Sequence, residues 1–244
     1  MLHTIFRGPC LRRAVGSAGR RCMSGGNLLK DVAWAPEFPY TKADFKRQIE
    51  SADGMFYKMP RLVQHIDDAA IAALTQHYTT VLTPGADVLD LCSSWVSHYP
   101  TDFKGGRVAG LGMNEEELSK NPQLTEFLVQ DLNKEPTLPF ADNSFDVVTN
   151  CASVDYLVQP LEVFNEVSRV LRPGGLSVVA FSNRVFAAKA VWVWMRMTDQ
   201  ERVHLVGSFM HFAGDFETPE GLDLSPGSES DPLFVVQARK KMAS

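Results

Sequence analysis

The chain has 244 residues, of which 45% are hydrophobic and 22% are charged, the proportions of a globular protein with a full core. Its mean hydropathy of -0.11 and its lack of any apolar run near the roughly 20 residues that a bilayer requires argue against a membrane-spanning helix. The formal charge of -5 is unevenly distributed, because residues 1–30 contain six Arg or Lys and no acid.

Residues 1–23 have the composition of an organellar targeting peptide, rich in Arg and small residues and free of acids. Gly8, Pro9 and Arg12 interrupt the apolar run that a secretory signal would need. The stretch Arg21-Cys22-Met23 followed by Ser24 resembles a mitochondrial processing site, with Arg three residues before the cut. We therefore expect the protein to be located in the mitochondrial matrix, with a plastid as the alternative. Without this peptide the chain has 19 basic and 29 acidic residues, a charge of -10, which disfavours general binding to nucleic acid.

Cysteine usage predicts neither a disulfide framework nor a metal site. Cys10 and Cys22 lie in the targeting peptide, so Cys92 and Cys151 remain, without a Cys-x-x-Cys motif or a His/Cys pair at ligand spacing. A redox pair of Cys92 and Cys151 is an alternative, but buried inert thiols are far more common.

The hydrophobic pattern predicts an α/β domain. Residues 24–60 suggest an irregular N-terminal arm, and residues 61–244 form the domain. Apolar residues from Leu62 onward follow helical spacing up to Thr83-Pro84-Gly85. Short Val- and Leu-rich runs typical of buried parallel strands then follow, at 86–92, 107–113, 127–132, 145–151, 176–182 and 233–239.

Three further helices are predicted between these runs. Residues 160–172 have one apolar face and stop at Pro173-Gly174-Gly175. The aromatic stretch 185–197 predicts a core helix, with an apolar acceptor pocket or peripheral membrane contact as alternatives. Residues 205–224 predict a helix and loop that lead to a short sixth strand, and the seven-residue spacing of His204 and His211 disfavours a metal.

This alternation predicts a doubly wound sheet, whose ligands bind outside the carboxyl ends of the strands. Residues 138–175, LPFADNSFDVVTNCASVDYLVQPLEVFNEVSRVLRPGG, carry the most specific motif. Over about residues 60–183 the chain resembles class I S-adenosylmethionine-dependent methyltransferases of the type 11 group. The resemblance implies a seven-stranded Rossmann-like sheet of order 3-2-1-4-5-7-6 with helices on both faces, S-adenosylmethionine as cofactor, and a small-molecule acceptor.

The resemblance also implies a set of cofactor-binding residues: Asp90, Cys92, Ser94, Gly112, Met113, Asn114, Asp131 and Leu132. Two segments depart from the family pattern. Cys92, Ser94 and Val96 occupy the places of the family's glycines, and Gly112 aligns with the acid that binds the ribose. Asn114 or the adjacent Glu115 would then take the ribose, whereas Asp131 and Leu132 suit the adenine.

Substrate-binding candidates are the polar residues on loops at the expected mouth of this site, His98, Tyr156, Asn183 and Arg184. The sequence selects no catalytic base. The predicted function is therefore methyl transfer from S-adenosylmethionine to an unidentified small molecule. The alternative is a non-catalytic methyltransferase-like assembly or binding protein in an organelle, which the replaced cofactor residues motivate.

Overall fold

A computed structural model describes residues 26–243, so the predicted targeting peptide lies outside the described residues. A seven-stranded sheet has the order β3-β2-β1-β4-β5-β7-β6, which confirms the predicted topology. Strands β1 to β5 run parallel, and β7 runs antiparallel to β5 and β6. The strands are β1 Val88–Leu91, β2 Val108–Gly112, β3 Glu126–Val129, β4 Phe145–Cys151, β5 Leu171–Phe181, β6 Glu220–Asp223 and β7 Phe234–Arg239.

Helices cover both faces of the sheet, because alternate strand residues enter two different apolar cores. In β1, Val88 belongs to one core, whereas Leu89 and Leu91 belong to the other. The helices are α1 Asp53–Phe56, α2 Asp68–Val81, α3 Glu115–Ser119, α4 Pro160–Val170, α5 Trp192–Met195 and α6 Asp199–Phe212, with a 3-10 turn at Val154–Tyr156.

The first predicted helix ends as expected but begins six residues later than predicted. Asp67 is its N-cap, and its side chain accepts a hydrogen bond from the Ala70 amide at 2.8 Å. Leu62 is 42% exposed and lies outside the helix. Apolar spacing alone did not reveal this start, because residues 63–66 line the site described below instead of forming a helical turn.

The predicted helix at 185–197 is wrong over most of its length, since only Trp192–Met195 are helical. Backbone pairing with the arm replaces helical hydrogen bonds here. The Ile49 amide donates to the Ala188 carbonyl at 2.9 Å, and the Trp192 amide donates to the Lys46 carbonyl at 2.7 Å. Periodicity along one segment cannot reveal such a distant partner.

The arm packs across the domain through an aromatic stack. The Trp34 ring lies between those of His204 and His211, with centroid distances of 4.9 Å and 4.7 Å.

Residues 26–243 contain no group of three His, Cys, Asp or Glu side chains placed to hold a metal ion. Within the same residues, no helix has the length and apolar character needed to cross a bilayer.

A buried ion cluster ties the arm to the rest of the fold. The Asp53 carboxylate accepts hydrogen bonds from Arg47 Nη1 at 2.7 and 2.8 Å and from Asn133 Nδ2 at 2.9 Å, and it lies 2.9 Å from Lys189 Nζ. Arg47, Asp53 and Lys189 are all buried. Burial alone would raise the pKa of Asp53, but the bonds from Arg47, Asn133 and Lys189 hold it below its usual value.

Replacing this carboxylate should destabilise the protein strongly. We expect Asp53→Asn to lower the free energy of unfolding by about 3–5 kcal/mol, because Arg47 and Lys189 would stay buried without a counter-ion. Urea unfolding at pH 7 measures the change, with Asp102→Asn at an exposed position as control. The wild-type advantage should fade as the pH falls from the ordinary carboxyl pKa, where the unfolded chain takes up the proton, through the lowered pKa of Asp53 in the folded protein. Equal stability of both variants at pH 7 would contradict this account.

Candidate functional site

A cavity lies at the carboxyl ends of β1 to β4, at the switch point of the sheet. The space between its walls is about 1260 Å³, a volume that includes open solvent. Loops after the four strands form its floor, and residues 53–66 form part of its wall. The arm, predicted to end at residue 60, thus continues to residue 66, just before the N-cap of α2. The lining includes Asp53, Tyr57, Arg61, His65, Asp90, Cys92, Ser94, His98, Gly112, Met113, Asn114, Glu117, Asp131, Leu132, Asn133, Cys151, Tyr156 and Phe186.

Asp90 fastens the loop that follows β1. One carboxylate oxygen accepts hydrogen bonds from the hydroxyls of Ser93 and Ser97, both at 2.6 Å, and the other accepts from Thr149 at 3.1 Å. Burial raises the pKa of Asp90, although these three bonds oppose the shift. The carboxylate lines the cavity, but its hydrogen-bond partners are hydroxyls of the protein, two from the loop after β1 and one from β4.

Three residues that line the cavity adopt left-handed backbone conformations, Cys92 at φ 59°, His98 at φ 60° and Ala152 at φ 49°. Such conformations cost non-glycine residues of order 1–3 kcal/mol and cluster at functional sites. Cys92 therefore takes the conformation that a glycine would favour. Val96 is not among the positive-φ residues, so this position carries no such strain.

A steric contact at Gly112 explains why this position lacks the ribose-binding acid that the resemblance implies. A Cβ atom at this position would clash with the Ser93 carbonyl oxygen, and the Ser93 amide donates to the Leu111 carbonyl at 2.8 Å. The loop after β1 thus crosses the end of β2 in direct contact. No side chain fits at residue 112 unless that loop moves.

Asn114 lines the cavity, but both polar atoms of its side chain already form hydrogen bonds within the protein. Its side-chain oxygen accepts from the Glu117 amide at 3.0 Å as the N-cap of α3, and its Nδ2 donates to the Tyr57 carbonyl at 2.8 Å. The alternative, Glu115, is exposed and does not line the cavity. Neither residue is placed as a free ribose ligand.

The sequence reasoning missed Glu117. Its carboxylate is buried, lines the cavity, and accepts hydrogen bonds from the Ser94 hydroxyl and the Arg61 amide, both at 2.6 Å. The available signal was the capping pattern, because Asn114 as N-cap places Glu117 in the first turn. Glu117 therefore joins the loop after β1 to the arm and places a carboxylate in the cavity near the end of β2.

Asp131 and Leu132 follow β3 at the other end of the cavity. The Asp131 carboxylate accepts from the Asn133 amide at 3.1 Å and lies 3.4 Å from Lys134 Nζ. The Leu132 side chain is buried. Its backbone N–H has no hydrogen-bond acceptor among the described residues.

Of the four substrate-binding candidates, the structure brings two to the cavity. His98 and Tyr156 line it, and the Tyr156 hydroxyl accepts from the Phe186 amide at 2.9 Å. Asn183 is exposed and Arg184 pairs with Asp231 at 2.8 Å, and neither is among the lining residues. Arg184 turns away because a carboxylate on the loop before β7 binds it.

The arm contributes residues that sequence reasoning did not place in the site, Tyr57, Arg61 and His65. Burial lowers the pKa of both His65 and His98, so each imidazole is neutral at pH 7 and can accept a proton.

Burial raises the pKa of the Cys92 and Cys151 thiols to about 12. Both cysteines are free, and they stay protonated at neutral pH.

Comparison with known proteins agrees with this geometry. Residues 92–179 match the family model described as a methyltransferase domain. The chain is 36% identical over 109 residues to the demethylmenaquinone methyltransferase of Renibacterium salmoninarum, an overlap of 42% of this chain and 44% of that protein. It spans less than half the length of the curated relatives that it matches first.

Solved structures share the fold. A SAM-dependent methyltransferase from Aquifex aeolicus superposes with a TM-score of 0.51 at 17% identity, over 77% of this chain and 97% of that one. The [4+2]-cyclase SpnF superposes with a TM-score of 0.54 at 14% identity, over 78% and 92%. The predicted fold is thus confirmed: the chain shares the fold of these solved structures, and residues 92–179 match the methyltransferase domain model.

The contact at Gly112 can be tested by adding a methyl group. We expect Gly112→Ala to lower the free energy of unfolding by about 1–3 kcal/mol, because the Ser93 carbonyl must move. Gly227→Ala is the matched control, since a Cβ there meets nothing within 4 Å. Thermal unfolding of both variants measures the difference, and a stable Gly112→Ala protein would disprove the contact.

A second prediction concerns Asp155, which is buried in the turn after β4 and whose Oδ2 has no hydrogen-bond partner among the described residues. Burial raises the pKa of Asp155 to about 7. Folding then favours the protonated acid, so stability falls as pH rises from about 4 to 7, by up to about 1.4 kcal/mol per pH unit.

We expect Asp155→Asn to remove this part of the pH dependence and to be more stable than the wild type at pH 8. Thermal unfolding of both proteins between pH 5 and 8 provides the measurement, and the difference between the two curves isolates the contribution of Asp155. Parallel curves would show that the carboxyl titrates alike in the folded and unfolded chains.

Proposed function

We propose that the chain is an S-adenosylmethionine-dependent methyltransferase that acts on a small-molecule acceptor. The observation that carries the proposal is the cavity at the carboxyl ends of β1 to β4, with Asp131 and the free Leu132 amide at its β3 end. A carboxylate and a backbone N–H suit the amino group and a ring nitrogen of adenine. Relatives named as methyltransferases of demethylmenaquinone support a small acceptor.

The ribose of the cofactor would be held by a different residue from Gly112, the one that aligns with the family's acid. Gly112 offers no carboxylate, and Asn114 is committed to capping α3. Glu117 is a buried acid at the same end of β2, and each of its oxygens can accept a second hydrogen bond. Glu117 would therefore hold the ribose hydroxyls.

When bound, S-adenosylmethionine supplies a methyl group already activated on a sulfonium, so alignment is the main contribution of the protein. His65 and His98 are neutral residues of the cavity that can remove a proton from an oxygen or nitrogen acceptor. The arm limits access of water, because Tyr57, Arg61 and Val63 are each bound through their backbones to the domain.

The rival function is a non-catalytic assembly or binding protein that retains the fold. Two observations favour this rival. Hydroxyl groups of the loop after β1 already bind the Asp90 carboxylate, and the backbone of the same loop leaves no room for a side chain at residue 112. The similarity in fold to SpnF, named as a cyclase, supports the view that the fold alone does not define the reaction. A stable stoichiometric protein partner, together with no cofactor binding, would favour this rival.

For location, we propose the mitochondrial matrix, supported by the composition of residues 1–23, with a plastid as the alternative. A fluorescent protein fused after residue 30 should enter the organelle, and a variant with the five Arg of residues 1–23 changed to Gln should not. Import that persists in the Gln variant would overturn this assignment.

Calorimetry with S-adenosylmethionine and S-adenosylhomocysteine on protein lacking residues 1–23 tests the proposed function. Binding is expected, and its absence at millimolar ligand would remove the enzyme interpretation. Glu117→Gln should weaken binding roughly tenfold, because a hydrogen bond to a charged group contributes more than one to a neutral group. Glu116→Gln is the matched control, since Glu116 is exposed and pairs with Lys120.

A further inference from the structure

Arg61 is a cation without a carboxylate partner inside the cavity. Its guanidinium lies 4.3 Å from the centre of the Phe56 ring and 5.5 Å from that of Phe186. Among the described residues that line the cavity, Arg61 is the only Arg or Lys. No acid in residues 26–243 lies within 4 Å of its guanidinium.

The four carboxylates that line the cavity have other partners. Asp53 is paired with Arg47 and Lys189, and Asp90 is bound by three hydroxyls. Asp131 lies beside Lys134. Glu117 binds the backbone amide of Arg61, not its guanidinium. The guanidinium of the half-buried Arg61 is thus available to an anion from outside the chain.

Arg61 lies toward the β5 side of the cavity. Its guanidinium packs over Phe186, which follows β5, whereas Asp131 and Leu132 follow β3, and the sheet order places β3 and β5 on opposite sides of β1. Arg61 is thus on the opposite side of β1 from the residues assigned to adenine, the side available to the acceptor.

Flat side chains surround this half. The rings of Tyr156 and His65 lie 6.2 Å and 5.4 Å from that of Phe186, and all three residues line the cavity. Aromatic faces bind a flat apolar ligand, and a guanidinium binds a carboxylate with two parallel hydrogen bonds. A ligand that combines these two features satisfies both parts of the site.

We propose that Arg61 binds the carboxylate of the acceptor, and that the acceptor is a flat apolar molecule carrying that anion beside Phe186 and Tyr156. This inference rests on the proposed function, because it assigns the acceptor class of the same cavity. The carboxylate of the cofactor's methionine moiety has the same chemistry, so the experiment below separates the two sources.

The first arm of the test uses 2-naphthoate and its neutral analogue 2-naphthamide, titrated by calorimetry with and without S-adenosylhomocysteine. The wild type should bind 2-naphthoate at least about tenfold more tightly than the amide, and Arg61→Gln should abolish that preference. Arg61→Lys should retain part of it. Arg196→Gln is the matched control, because Arg196 also lies over an aromatic ring, that of Trp192 at 5.1 Å, but outside the cavity.

The second arm compares S-adenosylhomocysteine with 5′-methylthioadenosine, which lacks the amino-acid carboxylate. Arg61→Gln should leave both affinities unchanged. A loss for S-adenosylhomocysteine alone would assign Arg61 to the cofactor and overturn the proposal, as would a naphthoate preference that survives in Arg61→Gln. Failure of the wild type to bind S-adenosylhomocysteine would defeat the proposed function instead, and the titrations without it would still test Arg61.

Discussion

The site depends on one close contact, the backbone of the loop after β1 lying against Gly112 at the end of β2. Asp90 holds the loop in this position through the hydroxyls of Ser93 and Ser97, and the left-handed conformation of Cys92 directs the chain into it. A carboxylate at residue 112 is therefore sterically excluded. The acid near this end of the cavity comes from the next helix, at Glu117.

This constraint also explains why the arm belongs to the site. Glu117 and Asn114 both bind the arm backbone, at Arg61 and Tyr57. These two bonds from the start of α3 hold the segment that carries Arg61 and His65 against the cavity. The loop after β1, the start of α3 and the arm thus form one connected hydrogen-bonded unit.

The strand order and the long helix α4 could be predicted, because buried parallel strands and an amphipathic helix leave strong local patterns. The helix predicted at 185–197 could not be corrected from the sequence, since the partner that breaks it lies some 140 residues away, at Ile49. Asp131 and His98 were predicted correctly as cavity residues from strand ends. Arg61 and Glu117 were missed because their placement depends on contacts between distant segments, which no local spacing encodes.

The Asp53 cluster has a consequence for the order of folding. Its partners come from three separate parts of the chain, Arg47 in the arm, Asn133 after β3 and Lys189 after β5. Contacts of such long sequence separation carry a loop-closure cost that must be met before they stabilise the fold. The cavity wall made by the arm is thus complete only when the segments after β3 and β5 are both in place, and a chain that ends before Lys189 would lack one of the two cations that hold it.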